Sequence, residues 1–292
     1  MLTNLGWYPG HMTKARRAME ENLKLVDVIV ELRDARIPLS SANPDLSKLG
    51  QGKKRLVLLG KQDLADPEKT RSWMDYFAAQ GLLPLALDAR EKKGCSEILK
   101  QLGALAAEKK ERDQKRGIQN RPTRIMVAGI PNVGKSTLIN SLAGRASTKT
   151  GDKPGVTRGL QWIRLNASLE LLDTPGLLWP KFDDETVGIH LALMGAIREE
   201  VLPLEELALK GMELLDELYP RALKEKYGLE GGEASSRLEE MALKQGLLQK
   251  GAQADISRAA ARFMDDLRKG RLGRISLEAP SVYKYGFIQK EK

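Results

Sequence analysis

The stretch Arg124-Ile-Met-Val-Ala-Gly129-Ile-Pro-Asn-Val-Gly134-Lys135-Ser136-Thr137 constrains this chain more than any other segment. It satisfies GxxxxGK[ST], and it lies between an apolar, strand-like run and a helix-compatible run from Thr137 to Leu142. The glycines let the backbone curl so that successive N–H groups converge on phosphate oxygens. A helix starting just past Gly134 adds its own unpaired amides to that anion site. Asn132, Val133, Gly134, Lys135, Ser136 and Thr137 are therefore candidate phosphate-binding residues. Lys135 is spaced to reach the β- and γ-phosphates, and the Ser136 hydroxyl to ligate Mg²⁺.

Composition narrows the setting. The 292 residues carry 48 Lys and Arg against 39 Asp and Glu, a net charge of +9, which favours a polyanionic partner. A length near 300 suggests two domains. The single cysteine, Cys95, excludes an internal disulfide framework and a Cys-rich zinc site. No apolar run approaches the roughly 18 residues of a membrane span. The start, MLTNLGWYPGHMTKARR, lacks the apolar core of a secretory signal, so a cytoplasmic protein with no membrane partner is expected.

Strand-like runs at Val28–Leu32, Leu56–Leu59, Leu83–Leu87 and from Ile125 alternate with helical stretches, the pattern of parallel βαβ units. The first of those helical stretches, Thr13 to Val26, sets Ala15, Met19, Leu23 and Val26 on one face. The second and third strands both read as buried. Thr70 to Gln80 reads as a helix ended by Gly81. The cation-rich stretch at about 108–124 reads as a helix end and linker, and Gln161–Leu165 with Leu169–Leu172 as a hairpin. Beyond Val201 helical patterns take over.

Two further segments bear on a nucleotide. Asp173-Thr-Pro-Gly176 places a carboxylate where it can hold Mg²⁺ through water, and the Gly176 N–H where it can meet a γ-phosphate. Thr157, in Lys153-Pro-Gly-Val-Thr-Arg158, can complete the metal shell while that phosphate is present. Upstream, Gly60-Lys61-Gln62-Asp63 follows a strand. An aspartate there can accept from both the ring N–H and the exocyclic amine of guanine, a pair that adenine lacks. Lys61 can lay its stem along the base. Asp88-Ala89-Arg90 follows the next strand and can direct the Ala89 amide at guanine O6. On spacing alone, two ordinary strand-end loops remain an equal alternative.

GIPNVGKSTLIN, PGVTRG and LLDTPG resemble the phosphate and switch motifs of translation-associated GTPases. There the guanine motif usually follows the phosphate motifs, whereas here it comes first. With WYPGHMTKARR, RDARIP and DTPGLLWPKF, this order resembles the circularly permuted GTPases over about Gly6 to Arg198. The resemblance implies an α/β fold: a circularly permuted P-loop GTPase domain over 1–200, with a mostly parallel sheet flanked by helices. A small all-α, RNA-binding domain over 201–292 follows. It implies a monomeric GTP hydrolase that binds the immature large ribosomal subunit and its rRNA, promotes late assembly and leaves after hydrolysis.

The resemblance also assigns roles. Leu177 stands where many GTPases carry a water-orienting glutamine, so slow intrinsic turnover stimulated by the subunit is expected, with His11 as the implied catalytic substitute. Asn132 in the phosphate loop implies stimulation by K⁺. Gly60 departs from the asparagine usual in the family, which weakens the expected grip on GTP. His190, in an apolar helical stretch, reads as structural.

Ala254 to Gly270 patterns as an amphipathic helix with Ile256, Ala260, Phe263 and Leu267 on one face. Arg258, Arg262 and Lys269, extended by Arg271 and Arg274, are the candidate RNA-binding cations. With aromatic residues at only 5%, backbone and shape recognition is expected over base stacking. Two other readings stay open: a guanine-nucleotide-dependent switch that binds a protein or membrane surface, and a degenerate nucleotide-binding scaffold.

Overall fold

A computed structural model describes residues 17, 19–89, 91–118, 121–144, 161–174, 178, 184–197, 203–230 and 234–280. Strand β1 (Val28–Asp34) is buried along its whole length: it has a parallel neighbour on each side, and apolar clusters cover both faces, with Val28, Val30 and Leu32 in one and Ile29 in the other. On one side lies β2 (Lys54–Gly60) and on the other β4 (Thr123–Gly129). With β3 (Leu83–Ala86), β5 (Gln161–Arg164) and β6 (Leu169–Asp173), they form a sheet of order β3-β2-β1-β4-β6-β5. All neighbouring pairs are parallel except β5 with β6, which form the expected hairpin. Parallel strands covered on both faces read as unbroken apolar runs, as in Val28-Ile-Val and Leu56-Val-Leu-Leu.

The helices are α1 (Pro44–Leu49), α2 (Pro67–Ala79), α3 (Lys92–Lys115), α4 (Lys135–Ala143), α5 (Glu185–Leu193), α6 (Leu204–Leu218), α7 (Ala222–Tyr227), α8 (Ala234–Lys244) and α9 (Ile256–Arg268). Residues 19–23 are also helical and bury Met19 and Leu23 under the sheet, beside Val26; Ala15 lies outside the described residues. Helix α2 begins at a proline behind Asp66, whose carboxylate accepts from the Glu68 and Lys69 amides.

One local expectation is corrected and another refined. The Leu83 strand is a sheet edge and not a buried core strand: Leu83 is 40% exposed, and among the described residues no strand pairs with β3 on its outer side. The cationic stretch is the expected helix end and linker, with α3 running to Lys115, but it is not free of buried residues. Lys109 is buried there, its ammonium meeting Asp113 at 2.5 Å and Asp27 at 3.7 Å.

Helices α6, α8 and α9 pack on one another, and one continuous apolar core runs from Val30 and Leu58 through Leu191 and Met212 to Phe263. No helix of the described residues is long and apolar enough to cross a membrane.

Candidate nucleotide site

Register determines where the candidate loops meet. Asp34 pairs with Gly60, Leu32 with Gly129, and Val127 with Asp173, so the carboxyl ends of β2, β1, β4 and β6 share one sheet edge. The Lys61–Asp63 loop, the phosphate loop and Asp173 emerge side by side there, in the crevice where open α/β sheets bind ligands. The loop of Asp88 and Ala89, just past β3, joins the same edge. Two hydrogen bonds tie it in: Gln62 N–H donates to Leu87 O at 3.4 Å, and the Ser141 hydroxyl of α4 to Ala89 O at 2.8 Å.

In the phosphate loop, Gly134 adopts φ +101°, a left-handed conformation that a side chain would strain, and so turns the chain into α4. Lys135 is buried, and its ammonium donates to the carbonyls of Gly129 at 3.0 Å and Ile130 at 2.9 Å. Burial pulls its pKa down to about 8, against the opposing attraction of Asp173. Val133 is buried, whereas Ser136 and Thr137 are half-buried in the first turn of α4. Asn132, at φ +57°, donates from its side-chain amide to Gly195 O at 2.8 Å.

Asp173 is 1% exposed, and neither of its carboxylate oxygens has a hydrogen-bond partner among the described residues. Burial lifts its pKa to about 6; Lys135 and the nearby Thr174 amide, which falls short of hydrogen-bond geometry, pull the other way. A buried, unpartnered carboxylate beside a phosphate loop fits a hydrated divalent cation, because the ion's waters would supply the missing donors.

At the candidate base-recognition side, Ala35 N–H donates to Gly60 O at 2.9 Å. Lys61 sits at φ +59°, rare for a residue with a side chain, and its ammonium pairs with Asp34 at 3.0 Å. Burial lowers the Lys61 pKa more than Asp34 raises it. Burial would push the Asp34 carboxyl up, but Arg36 and Lys61 outweigh it and hold the group well below the usual carboxylate range. Arg36 grips Asp34 through Nε at 2.9 Å and Nη2 at 2.8 Å. Asp63 is half-buried and Asp88 buried in this arrangement. His11, Thr157 and Gly176 lie outside the described residues.

The candidate RNA-binding cations all have partners within the chain. Arg258 meets Asp255 at 4.0 Å, Arg262 meets Asp266 at 3.9 Å, and Lys269 meets Asp265 at 2.7 Å. Arg271 meets Asp265 at 3.0 Å and Asp266 at 2.8 Å. These four side chains remain roughly half exposed, so their charge still faces solvent. Arg274 points elsewhere, donating to Ala65 O at 2.9 Å and Gln62 O at 2.7 Å.

His190 is 2% exposed, with Nδ1 at 3.1 Å from both the Ser40 hydroxyl and Glu278 Oε1, as a structural histidine should be. Sequence reasoning missed this cluster and also Arg268, whose guanidinium donates to the Ala192 and Leu193 carbonyls at 3.0 Å. Both join residues more than 70 positions apart in the chain, and no local pattern marks such partners.

A family model described as "50S ribosome-binding GTPase" matches residues 124–210. The chain is 44% identical to ribosome biogenesis GTPase A of Priestia megaterium, over 94% of this chain and 96% of that one. It is 34% identical to the Thermotoga maritima protein of that name, over 94% and 95% respectively. Among solved structures, GNP-bound YlqF from T. maritima superposes with a TM-score of 0.66 at 31% identity, over 91% of this chain and 98% of that one. The GDP-bound form gives 0.67 at 30% identity, over 91% and 100%. The sheet with its guanine-type loop ahead of the phosphate loop, followed by the helical region, is thus the circularly permuted GTPase architecture, and the chain belongs to the ribosome biogenesis GTPase A family.

Proposed function

We propose that this chain is a GTP hydrolase that binds the immature large ribosomal subunit in its GTP form, promotes late assembly and leaves after hydrolysis. The observation that carries the reading is the shared sheet edge. β1 brings the Lys61–Asp63 loop and the Asn132–Thr137 loop, separated by about 70 residues of chain, to either side of one crevice. The related T. maritima structures are described as GNP-bound and GDP-bound, which supports guanine nucleotides as ligands here.

Asp63 would accept from the guanine N–H and amine, and Lys61 would flank the base, with Gly60, Asp88 and Ala89 completing that side. Val133 to Thr137 would surround the phosphates through backbone amides, with Lys135 moving from its carbonyl partners to the β- and γ-phosphates. Mg²⁺ would be held by Ser136 and Thr157, with Asp173 acting through water. When bound, the ion offsets phosphate charge. Gly176 would meet the γ-phosphate, and His11 would orient the attacking water in place of Leu177. K⁺ near Asn132 would add a fixed positive charge. Arg258, Arg262, Lys269 and Arg271, whose own side chains remain about half exposed, would meet rRNA phosphates. The protein would act as a cytoplasmic monomer.

Co-sedimentation with large subunits over a salt series, with a non-hydrolysable GTP analogue or GDP, tests the reading. Retention with the analogue, release with GDP and weakening with salt are expected. Nucleotide-dependent binding to a protein or membrane without RNA would favour the rival switch. Absence of turnover with and without subunits would reduce the chain to a scaffold. His11→Ala should lower stimulated turnover and leave GTP affinity intact.

A further inference from the structure

The base-recognition loop is gripped by the far end of the chain. Arg274 caps the carbonyls of Gln62 at 2.7 Å and Ala65 at 2.9 Å, and Ile275 N–H donates to Leu64 O at 3.0 Å. Those three carbonyls flank Asp63. Asp66 N–H then donates to the Ser276 hydroxyl at 3.1 Å, and Leu277 N–H to Arg36 O at 2.8 Å. Arg36 in turn donates to Arg268 O at 3.0 Å while it holds Asp34, the partner of Lys61. The loop is therefore held by residues 268–277 on one side and by β1 on the other.

Gly60 explains the need for such a grip. A Cβ there would lie 3.0 Å from Leu32 Cδ1 and 3.7 Å from Val133 O, so a side chain at this position would stand against the phosphate loop. Glycine supplies no side chain, and hence no such link from the base side to the phosphate side. The loop also begins with Lys61 at φ +59°, a conformation that persists only where surrounding contacts over-determine it.

We propose that Arg274, with the Ile275 N–H and the Ser276 hydroxyl, is the positioning device for guanine selectivity: it holds the Gln62–Asp66 backbone so that Asp63 faces the base. This rests on the reading of that loop as the guanine-binding element. The helical domain thereby contributes to nucleotide choice without touching the nucleotide.

Titration of full-length wild type, Arg274→Ala, Arg274→Lys and Ser276→Ala with fluorescent GDP, inosine diphosphate and ADP tests the proposal. Inosine lacks the exocyclic amine, so the GDP to inosine diphosphate affinity ratio reports how well Asp63 is aimed. Arg274→Ala should lower that ratio by roughly 5- to 20-fold, the scale of one or two hydrogen bonds, with ADP affinity unchanged because phosphate contacts dominate it. Arg274→Lys, able to cap only one carbonyl, should fall between, as should Ser276→Ala. Equal weakening of all three nucleotides, or an unchanged ratio, overturns the proposal. Should Arg274→Ala fail to fold, the ratio for the two milder variants decides in the same way. A wild type that holds ADP as tightly as GDP would instead sink the guanine reading, and the positioning role with it.

Discussion

The Asn132 side-chain amide donates to the Gly195 carbonyl across 2.8 Å, joining the phosphate loop to the turn that follows α5. One residue of the proposed K⁺ site is thus anchored to the strand of chain leading into the helical region. Asn132→Ala should cost about 1 kcal/mol in urea unfolding, the net worth of one such bond. It should also abolish the difference in GTP turnover between K⁺ and Na⁺ buffers. A variant that keeps the difference would remove Asn132 from that role.

Asp34 should contribute to acid stability at the proposed base-recognition side. Its folded pKa lies well below the unfolded value near 3.8, because Arg36 and Lys61 overcome burial. Its stabilising contribution is therefore present above about pH 4 and is lost as pH falls below it. Asp34→Asn leaves buried Arg36 and half-buried Lys61 without their carboxylate and should cost roughly 3 kcal/mol at pH 7. In denaturant titrations, the gap between wild type and variant should narrow from pH 4 downward; a gap that does not change with pH would contradict the assignment.

Asp173 should behave in the opposite sense. Burial raises its pKa to about 6 from 3.8, so its charge opposes folding above pH 6, and that cost is relieved as pH falls through 6. In EDTA at pH 8, Asp173→Asn should be more stable than wild type by about 1–3 kcal/mol. The same variant should bind GTP with Mg²⁺ less tightly. Calorimetric melts beside nucleotide titrations would show both effects, and a variant less stable than wild type would argue that the carboxylate has a protein partner after all.

Phe263 lies fully buried in a core that continues into β1 and β2. Phe263→Ala should cost roughly 3–5 kcal/mol through the cavity it leaves. Because the core is shared, the loss should appear as one melting transition at lower temperature, with nucleotide binding lost in the same step. Two separate transitions would show that the helical region unfolds alone.

Much of the α/β half was legible because its signals are local. The parallel strands read as apolar runs, Gly81 ends α2 at φ +74°, and the Asn166–Ser168 hairpin turn lies where the residues put it. The buried face of α9 was equally plain, since Ala260, Phe263 and Leu267 repeat at helical spacing and are all buried. Lys109 and Leu83 misled for one reason: burial depends on what lies alongside, and neither residue type declares its neighbours. The carbonyl partners of Arg274 were invisible because a guanidinium has the same appearance in sequence whether it meets RNA or a backbone carbonyl.

By itself, then, the order of residues determined the chemistry of each loop: which segment can cradle a phosphate, which carboxylate can select guanine and which helix face is apolar. Tertiary structure alone decided the relations among them. The register of β1 against β2 and β4 put two distant loops on one edge, the close fit of Asp34, Arg36 and Lys61 lowered a carboxyl pKa, and Arg274 and Ile275 closed over Gln62–Ala65. Short-range preferences act over a few residues, whereas these contacts span up to 212 positions and form only after the core has packed.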